Sequence, residues 1–170
     1  MAFSQEQSVT AIEKIISYTF NDKTLLWEAL HAAGTGWHLG QLTGRTMIEG
    51  NKRLAIVGDA YLRAALSSQW YATKEVIGSV SSKARQTVPL TFIGDWGAKS
   101  SPLLSDANLF NIAVETGIKS YIVPALAQGI NGLGAKTVAT TVEAIIGAVW
   151  EDCGKMDEIT HVLASLGIRW

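Results

Sequence analysis

Residues 51–62 decide the fold of this chain, and they read Asn-Lys-Arg-Leu-Ala-Ile-Val-Gly-Asp-Ala-Tyr-Leu. Apolar residues lie on nearly every side of this stretch, which is typical of a central, buried helix. One acid, Asp59, interrupts the apolar pattern, and Ala55 stands one helical turn before it. We predict a long helix from about Lys52 to Trp70 or beyond, with Asn51 as its N-terminal cap.

A second stretch repeats this arrangement near the other end of the chain. Residues 136–149 read Lys-Thr-Val-Ala-Thr-Thr-Val-Glu-Ala-Ile-Ile-Gly-Ala-Val, with Glu143 as the single acid and Thr140 before it. Residues three or four apart on a helix share a face, so two such helices packed side by side would bring both acids and both preceding residues to one spot. Gly58 and Gly147 would permit the two backbones to approach closely.

The rest of the chain also favours helices. No stretch alternates as the strands of a hairpin do, and several glycine-rich or proline-containing stretches predict loops. We therefore predict an all-α fold of about eight helices in a single domain that spans residues 1–170. The other predicted helices cover residues 8–19, a segment capped by Asn21 or Asp22, and residues 78–87, 106–116, 136–152 and 156–166; the predicted loops cover residues 34–50, 95–106 and 129–134.

Composition narrows the class of protein. With 170 residues, 48% of them hydrophobic, the chain is long enough to bury a core. A net charge of −1 argues against a strongly basic nucleic-acid binder, although a local basic patch fits within a neutral total. A single cysteine excludes an internal disulfide. We see neither a secretory signal nor a membrane helix, and we expect an intracellular protein, cytoplasmic or nuclear, with a mitochondrial location left open.

From the residues alone, Asp59 and Glu143 have two interpretations. Clustered carboxylates bind hard divalent cations such as Mg²⁺, which can activate water and stabilise the transition state of phosphodiester hydrolysis. In the alternative, both residues are buried acids that are satisfied by Lys52, Arg53 or backbone donors, because a buried acid is usually paired.

The two stretches resemble the signatures of the ribonuclease III family. Their usual forms are Asn-Glu-Arg-Leu-Glu-Phe-Leu-Gly-Asp-Ala-Val-Leu and Ala-Asp-Thr-Val-Glu-Ala-Leu-Ile-Gly-Ala. Three further blocks resemble that family in the same order, at residues 18–31, 78–85 and 108–118. The resemblance spans about residues 8–154 and covers an endonuclease domain without a double-stranded RNA-binding domain. It implies an all-α endonuclease-domain fold, a homodimer, double-stranded RNA as substrate, and hydrolysis with Mg²⁺ or Mn²⁺.

The resemblance also identifies a departure from the family pattern. The four carboxylates of the family correspond to Ala55, Asp59, Thr140 and Glu143, so two acids are replaced here. The resemblance implies Asp59 and Glu143 as the catalytic residues and metal ligands, with Thr140 as an auxiliary ligand that orients a metal-bound water. Losing one group of this kind typically lowers a rate by about 10²–10³, so we expect weak or absent cleavage.

The family motifs suggest a dimer interface, and the distribution of basic residues suggests where RNA binds. Ile56 stands where the family carries an aromatic residue that contacts the partner subunit, and Lys52 stands where an acid is usual, so both are assigned to a dimer interface. Candidate RNA contacts form a local basic group, for which ordinary solvated charges are the alternative; its members are Lys74, Lys83, Arg85 and Lys99.

Two functions are consistent with the sequence. The first is a ribonuclease III-like protein that processes double-stranded RNA, with catalysis impaired at Ala55 and Thr140. The second is a catalytically inactive dimer of the same fold that serves as an RNA-binding or ribonucleoprotein assembly module.

Overall fold

Seven α-helices form the described part of the molecule. The structure is a computed structural model that describes residues 3–35, 49–72, 91–125 and 132–170, with the backbone alone described for residues 91–95. The helices are α1 (Gln5–Ile16), α2 (Lys23–Ala29), α3 (Lys52–Ala72), α4 (Thr91–Leu103), α5 (Asp106–Glu115), α6 (Ala135–Cys153) and α7 (Met156–Ser165), and a 3₁₀ turn covers Ile118–Tyr121.

Helices α3 and α6 form the centre of the fold, as the sequence predicts. A Cβ atom added to Gly58 of α3 would overlap the carbonyl oxygen of Glu143, and one added to Gly147 of α6 would overlap the carbonyl oxygen of Leu54. Two backbones can meet this closely only where neither carries a side chain. The prediction that the two glycines permit a close approach is therefore confirmed.

Local signals place most of the helix ends. The Asp22 side chain accepts a hydrogen bond from the backbone N–H of Thr24 at 2.9 Å and so caps α2. Gly117 follows the end of α5 with a φ of 84°, and Gly154 ends α6 with a φ of 62°. Both angles lie in the left-handed region that glycine adopts without strain, and each glycine follows closely on the end predicted for its helix, at residue 116 for α5 and residue 152 for α6.

Asp152 ties the end of α6 to the turn between α1 and α2. Its carboxylate accepts hydrogen bonds from the Tyr18 hydroxyl at 2.7 Å, the Asn21 N–H at 3.0 Å and the Asp22 N–H at 2.8 Å. Burial disfavours the charged carboxylate, but the bonds from Asp22, Tyr18 and Asn21 outweigh it and hold the pKa of Asp152 below its ordinary value.

Asn51 precedes α3 as predicted, but its side chain serves a different purpose from a cap. The residue is buried, and its amide Nδ2 donates to the carbonyl oxygen of Ala29 at 2.8 Å and to Oγ1 of Thr141 at 3.0 Å. Asn51 therefore joins the end of α2 and the middle of α6 to the start of α3. The capping prediction follows from local sequence alone, whereas this role depends on two distant elements.

The loop predicted over residues 95–106 is wrong for most of its length. Helix α4 runs through Gly97 and includes Pro102 in its last turn. Trp96 and Leu103 pack against the core, and Ser100 between them is buried, so one face of the helix is covered. Burial of that face outweighs the low helix propensity of glycine, serine and proline.

The all-α prediction is confirmed over the described residues. They contain no strand, and their one isolated bridge joins His31 to Val123. No described helix has the length and hydrophobicity needed to cross a membrane. The helix predicted over residues 78–87 lies outside the described residues, as do residues 36–48 of the first predicted loop and residues 129–131 of the last one. The single-domain assignment stays a prediction.

Candidate functional site

Asp59 lies on α3 and is paired with a cation on the same helix. The guanidinium Nε of Arg63 donates to Oδ1 of Asp59 at 2.9 Å and to Oδ2 at 3.0 Å. The two residues are four apart, the spacing at which helical side chains meet. The Asp59 side chain is 39% exposed and that of Arg63 is 55% exposed, so the pair stands at the rim of the packed helices.

Glu143 faces this pair from α6. Its carboxyl group is half-buried beside the crossing at Gly58. Burial, followed by repulsion from the negative charges of Asp59 and Asp106, raises the pKa of Glu143 to about 7, against a smaller opposing effect of Arg63. Asp59 and Glu143 are therefore close enough for their charges to interact, as the helical spacing indicates.

Ala55 and Thr140, the uncharged residues one turn before the two acids, differ in how exposed they are beside Asp59 and Glu143. Ala55 is only 5% exposed and belongs to the hydrophobic core, one turn before Asp59. Thr140 is half-buried on α6, one turn before Glu143. A hydroxyl at residue 140 can still contact a polar partner, whereas the methyl group of Ala55 supplies neither a charge nor a hydrogen bond.

Two residues of this environment are absent from the sequence-based assignment. Arg63 was predictable, because it follows Asp59 by four residues on the same predicted helix. The sequence suggests Lys52 and Arg53 as possible partners of the two acids. In the structure Arg53 pairs with Glu49 at 3.4 Å on the surface, and Lys52 is exposed. The sequence around Asp106 does not indicate that it belongs to the site, because its effect on the pKa of Glu143 depends on how α5 packs against α6.

This set of side chains does not fit the Mg²⁺ site that the family resemblance implies. Magnesium is bound by several oxygen ligands in near-octahedral geometry, whereas both oxygens of Asp59 accept from Arg63, whose positive charge opposes a second cation at the same carboxylate. Within the described ranges, no three residues of the His, Cys, Asp and Glu types are arranged to hold a metal ion. The assignment of Asp59, Glu143 and Thr140 as metal ligands stays a prediction that this geometry does not favour.

The residues assigned to RNA fall in two groups. Lys74, Lys83 and Arg85 lie outside the described residues. Lys99 is exposed on α4, where its Nζ lies 5.9 Å from the centroid of the Trp170 ring. This geometry is a cation–π contact, which orients the ammonium group.

The residues assigned to a dimer interface lie on an exposed face of α3. The side chain of Ile56 is 73% exposed, which is unusual for a large aliphatic residue, and Lys52 is exposed one turn earlier. Ala60 and Ala64, at intervals of one turn, are exposed too. These residues form what we call the Ile56 stripe: Ile56, Ala60 and Ala64.

The fold is that of a ribonuclease III nuclease domain. The nuclease domain of ribonuclease III from Campylobacter jejuni superposes with a TM-score of 0.69 at 22% identity, over 93% of this chain and 95% of that one. A second structure of the same domain gives a TM-score of 0.68 over 92% of each chain. The predicted fold class is confirmed.

Sequence similarity points to the same family. Ribonuclease 3 of Pseudoalteromonas translucida is 30% identical over 161 residues, which cover 89% of this chain and 59% of that protein. Ribonuclease 3 of Clostridium kluyveri is 27% identical over 145 residues, which cover 84% and 51%. The chain thus spans between half and three fifths of these relatives. No family model matches the sequence. The resemblance inferred from the five sequence blocks is confirmed.

Proposed function

We propose that this chain acts on double-stranded RNA as a ribonuclease III-like domain whose phosphodiester hydrolysis is weak or absent. The observation that carries the proposal is the pair of Asp59 and Glu143 at the glycine crossing of α3 and α6, in a fold otherwise found in ribonuclease III nuclease domains. The impaired catalysis rests on Ala55 and Thr140, which leave two carboxylates where the resemblance implies four.

A homodimer formed through α3 is part of the same proposal. The Ile56 stripe supports it, because one large exposed aliphatic residue followed by two alanines lets a second helix approach closely. A solved structure of the Campylobacter jejuni domain is described as having flexibility in a region involved in dimer formation.

A non-cleaving RNA-binding or assembly module is the second candidate. The contact that favours it is the one between Arg63 and both oxygens of Asp59, since it neutralises one of the two remaining acids. Duplex RNA is recognised mainly by its shape, its phosphates and its 2′-hydroxyls, none of which requires hydrolysis.

Cleavage of a long duplex RNA, first with Mg²⁺ and then with Mn²⁺, separates the two candidates. If the protein cleaves, Asp59→Ala and Glu143→Ala should each abolish the activity, while Glu115→Ala, at an exposed acid on α5, should leave it intact. Cleavage that survives both site substitutions means that the site is placed wrongly.

If the natural protein does not cleave, the informative variant is Ala55→Glu with Thr140→Asp. Cleavage gained only by this double variant supports the inactive module. A gel shift with uncut duplex at rising salt tests RNA binding separately, because phosphate contacts weaken steeply as salt rises. Absence of any binding at low salt would refute both candidates.

A further inference from the structure

The cation nearest to the two acids belongs to the protein itself. Arg63 contacts both oxygens of Asp59 through one nitrogen, and its charge also reaches Glu143. A guanidinium stays protonated at every physiological pH, so this positive charge is permanent. Because Asp59 and Arg63 lie on one helix at a spacing of four, no movement between helices is needed to keep them together.

The charge balance of the site follows from this contact. Four carboxylates attract a divalent cation strongly, whereas Asp59 and Glu143 beside one guanidinium carry a net charge of only −1 when both are ionised. Asp106 adds one further negative charge close enough to act on Glu143, but it does not contact Arg63. A cation that approaches Asp59 competes with Arg63 for the lone pairs of both oxygens and is repelled by the charge of the guanidinium. The donor set therefore disagrees with the metal site that the family resemblance implies.

We propose that Arg63 is the resident cation of the Asp59–Glu143 pair and keeps divalent metal ions away from it. Arg63 thus determines which cation the site holds. The inference concerns the same site as the proposed function and rests on it only for the identity of the two acids.

Direct binding of Mn²⁺ to the full chain without RNA tests this inference, with the electron paramagnetic resonance signal of free Mn²⁺ as the readout. The natural protein should show no saturable site at millimolar Mn²⁺. Arg63→Gln should bind Mn²⁺ at least about tenfold more tightly, because the repelling charge and the competing donor are both gone. Adding Asp59→Asn to that variant should remove the gained site.

Arg53→Gln is the matched control, because Arg53 is also an arginine of α3 paired with an acid four residues away, but at the exposed Glu49. It should leave Mn²⁺ binding unchanged. Arg63→Met, which keeps an apolar stem, replaces Arg63→Gln if the latter does not fold by circular dichroism. Tight Mn²⁺ binding by the natural protein, or no gain in either folded Arg63 variant, would overturn the inference.

Failure of this inference is distinguishable from failure of the proposed function. The Mn²⁺ experiment contains no RNA, and the gel shift can be run in a chelator without any divalent metal. A protein that binds duplex RNA but shows no metal gain in the Arg63 variants keeps the function and loses the inference. If the Arg63 variants gain Mn²⁺ binding but the protein does not bind duplex RNA, the inference about Arg63 stands and the proposed function is wrong.

Discussion

At the scale of single residues, Glu143 is the group whose ionisation is most affected by the fold of the site. Its pKa of about 7 lies above the ordinary value of 4.5, mainly because of burial and then because Asp59 and Asp106 repel its charge. The folded protein therefore holds this proton more tightly than the unfolded chain does. That contribution to stability is fully present below about pH 4.5 and is lost as the pH rises through 7.

Glu143→Gln should accordingly stabilise the protein at alkaline but not at acidic pH. We expect the free energy of unfolding to rise by about 1–2 kcal/mol at pH 8, because the variant never carries the disfavoured charge. This is less than the full pKa shift implies, since solvent screens the half-exposed carboxylate. At pH 4.5 the two proteins should differ little. Urea unfolding in chelator at both pH values measures this, with Glu115→Gln as the exposed control. A gain of equal size at the two pH values would contradict the role of charge.

Some residues of the candidate site can be predicted from the sequence, and others cannot. Asp59 and Glu143 could be assigned because helical spacing and the family blocks both point to them. Arg63 could have been found by the same spacing rule, since it is four residues from Asp59. Asp106 could not, because its effect on Glu143 arises only once α5 and α6 are packed together.

At the scale of the element, the crossing of α3 and α6 determines the position of both acids. Gly58→Ala should destabilise the protein by about 2–3 kcal/mol or more, because the added Cβ overlaps a backbone carbonyl that cannot rotate away. Chemical unfolding measures the loss. Gly97→Ala on α4 is the control, since a Cβ there meets nothing within 4 Å; it should stabilise by about 0.5–1 kcal/mol. Equal effects of the two substitutions would mean that the helices are not in contact at Gly58.

Which elements could be predicted depends on where their signals lie. The ends of α2, α5 and α6 follow from Asp22, Gly117 and Gly154, whose effects are local. The sequence predicts a loop over most of α4, because the segment is rich in residues that disfavour helices. The helix forms because Trp96 is partly buried against other elements.

At the scale of the whole molecule, the Ile56 stripe is the surface through which we expect two copies to associate. Ile56→Asp should convert a dimer into a monomer at micromolar concentration, because it places a charge at the centre of an apolar contact. Sedimentation measures this. Val114→Asp, at an exposed aliphatic residue of α5, should leave the mass unchanged. A natural protein that sediments as a monomer would refute the dimer.

The burial of Ala55 has a consequence for how easily this domain could accommodate the four-carboxylate arrangement that the family resemblance implies. Residue 55 is only 5% exposed and is part of the hydrophobic core. A glutamate there must displace core atoms before its carboxylate can reach Asp59, and that rearrangement costs stability before any activity is gained. Thr140 is half-buried, so a carboxylate there can extend toward solvent with less disturbance of the core. A carboxylate is therefore harder to introduce at residue 55 than at residue 140, so a variant that carries only the residue 140 substitution should retain more of the native stability.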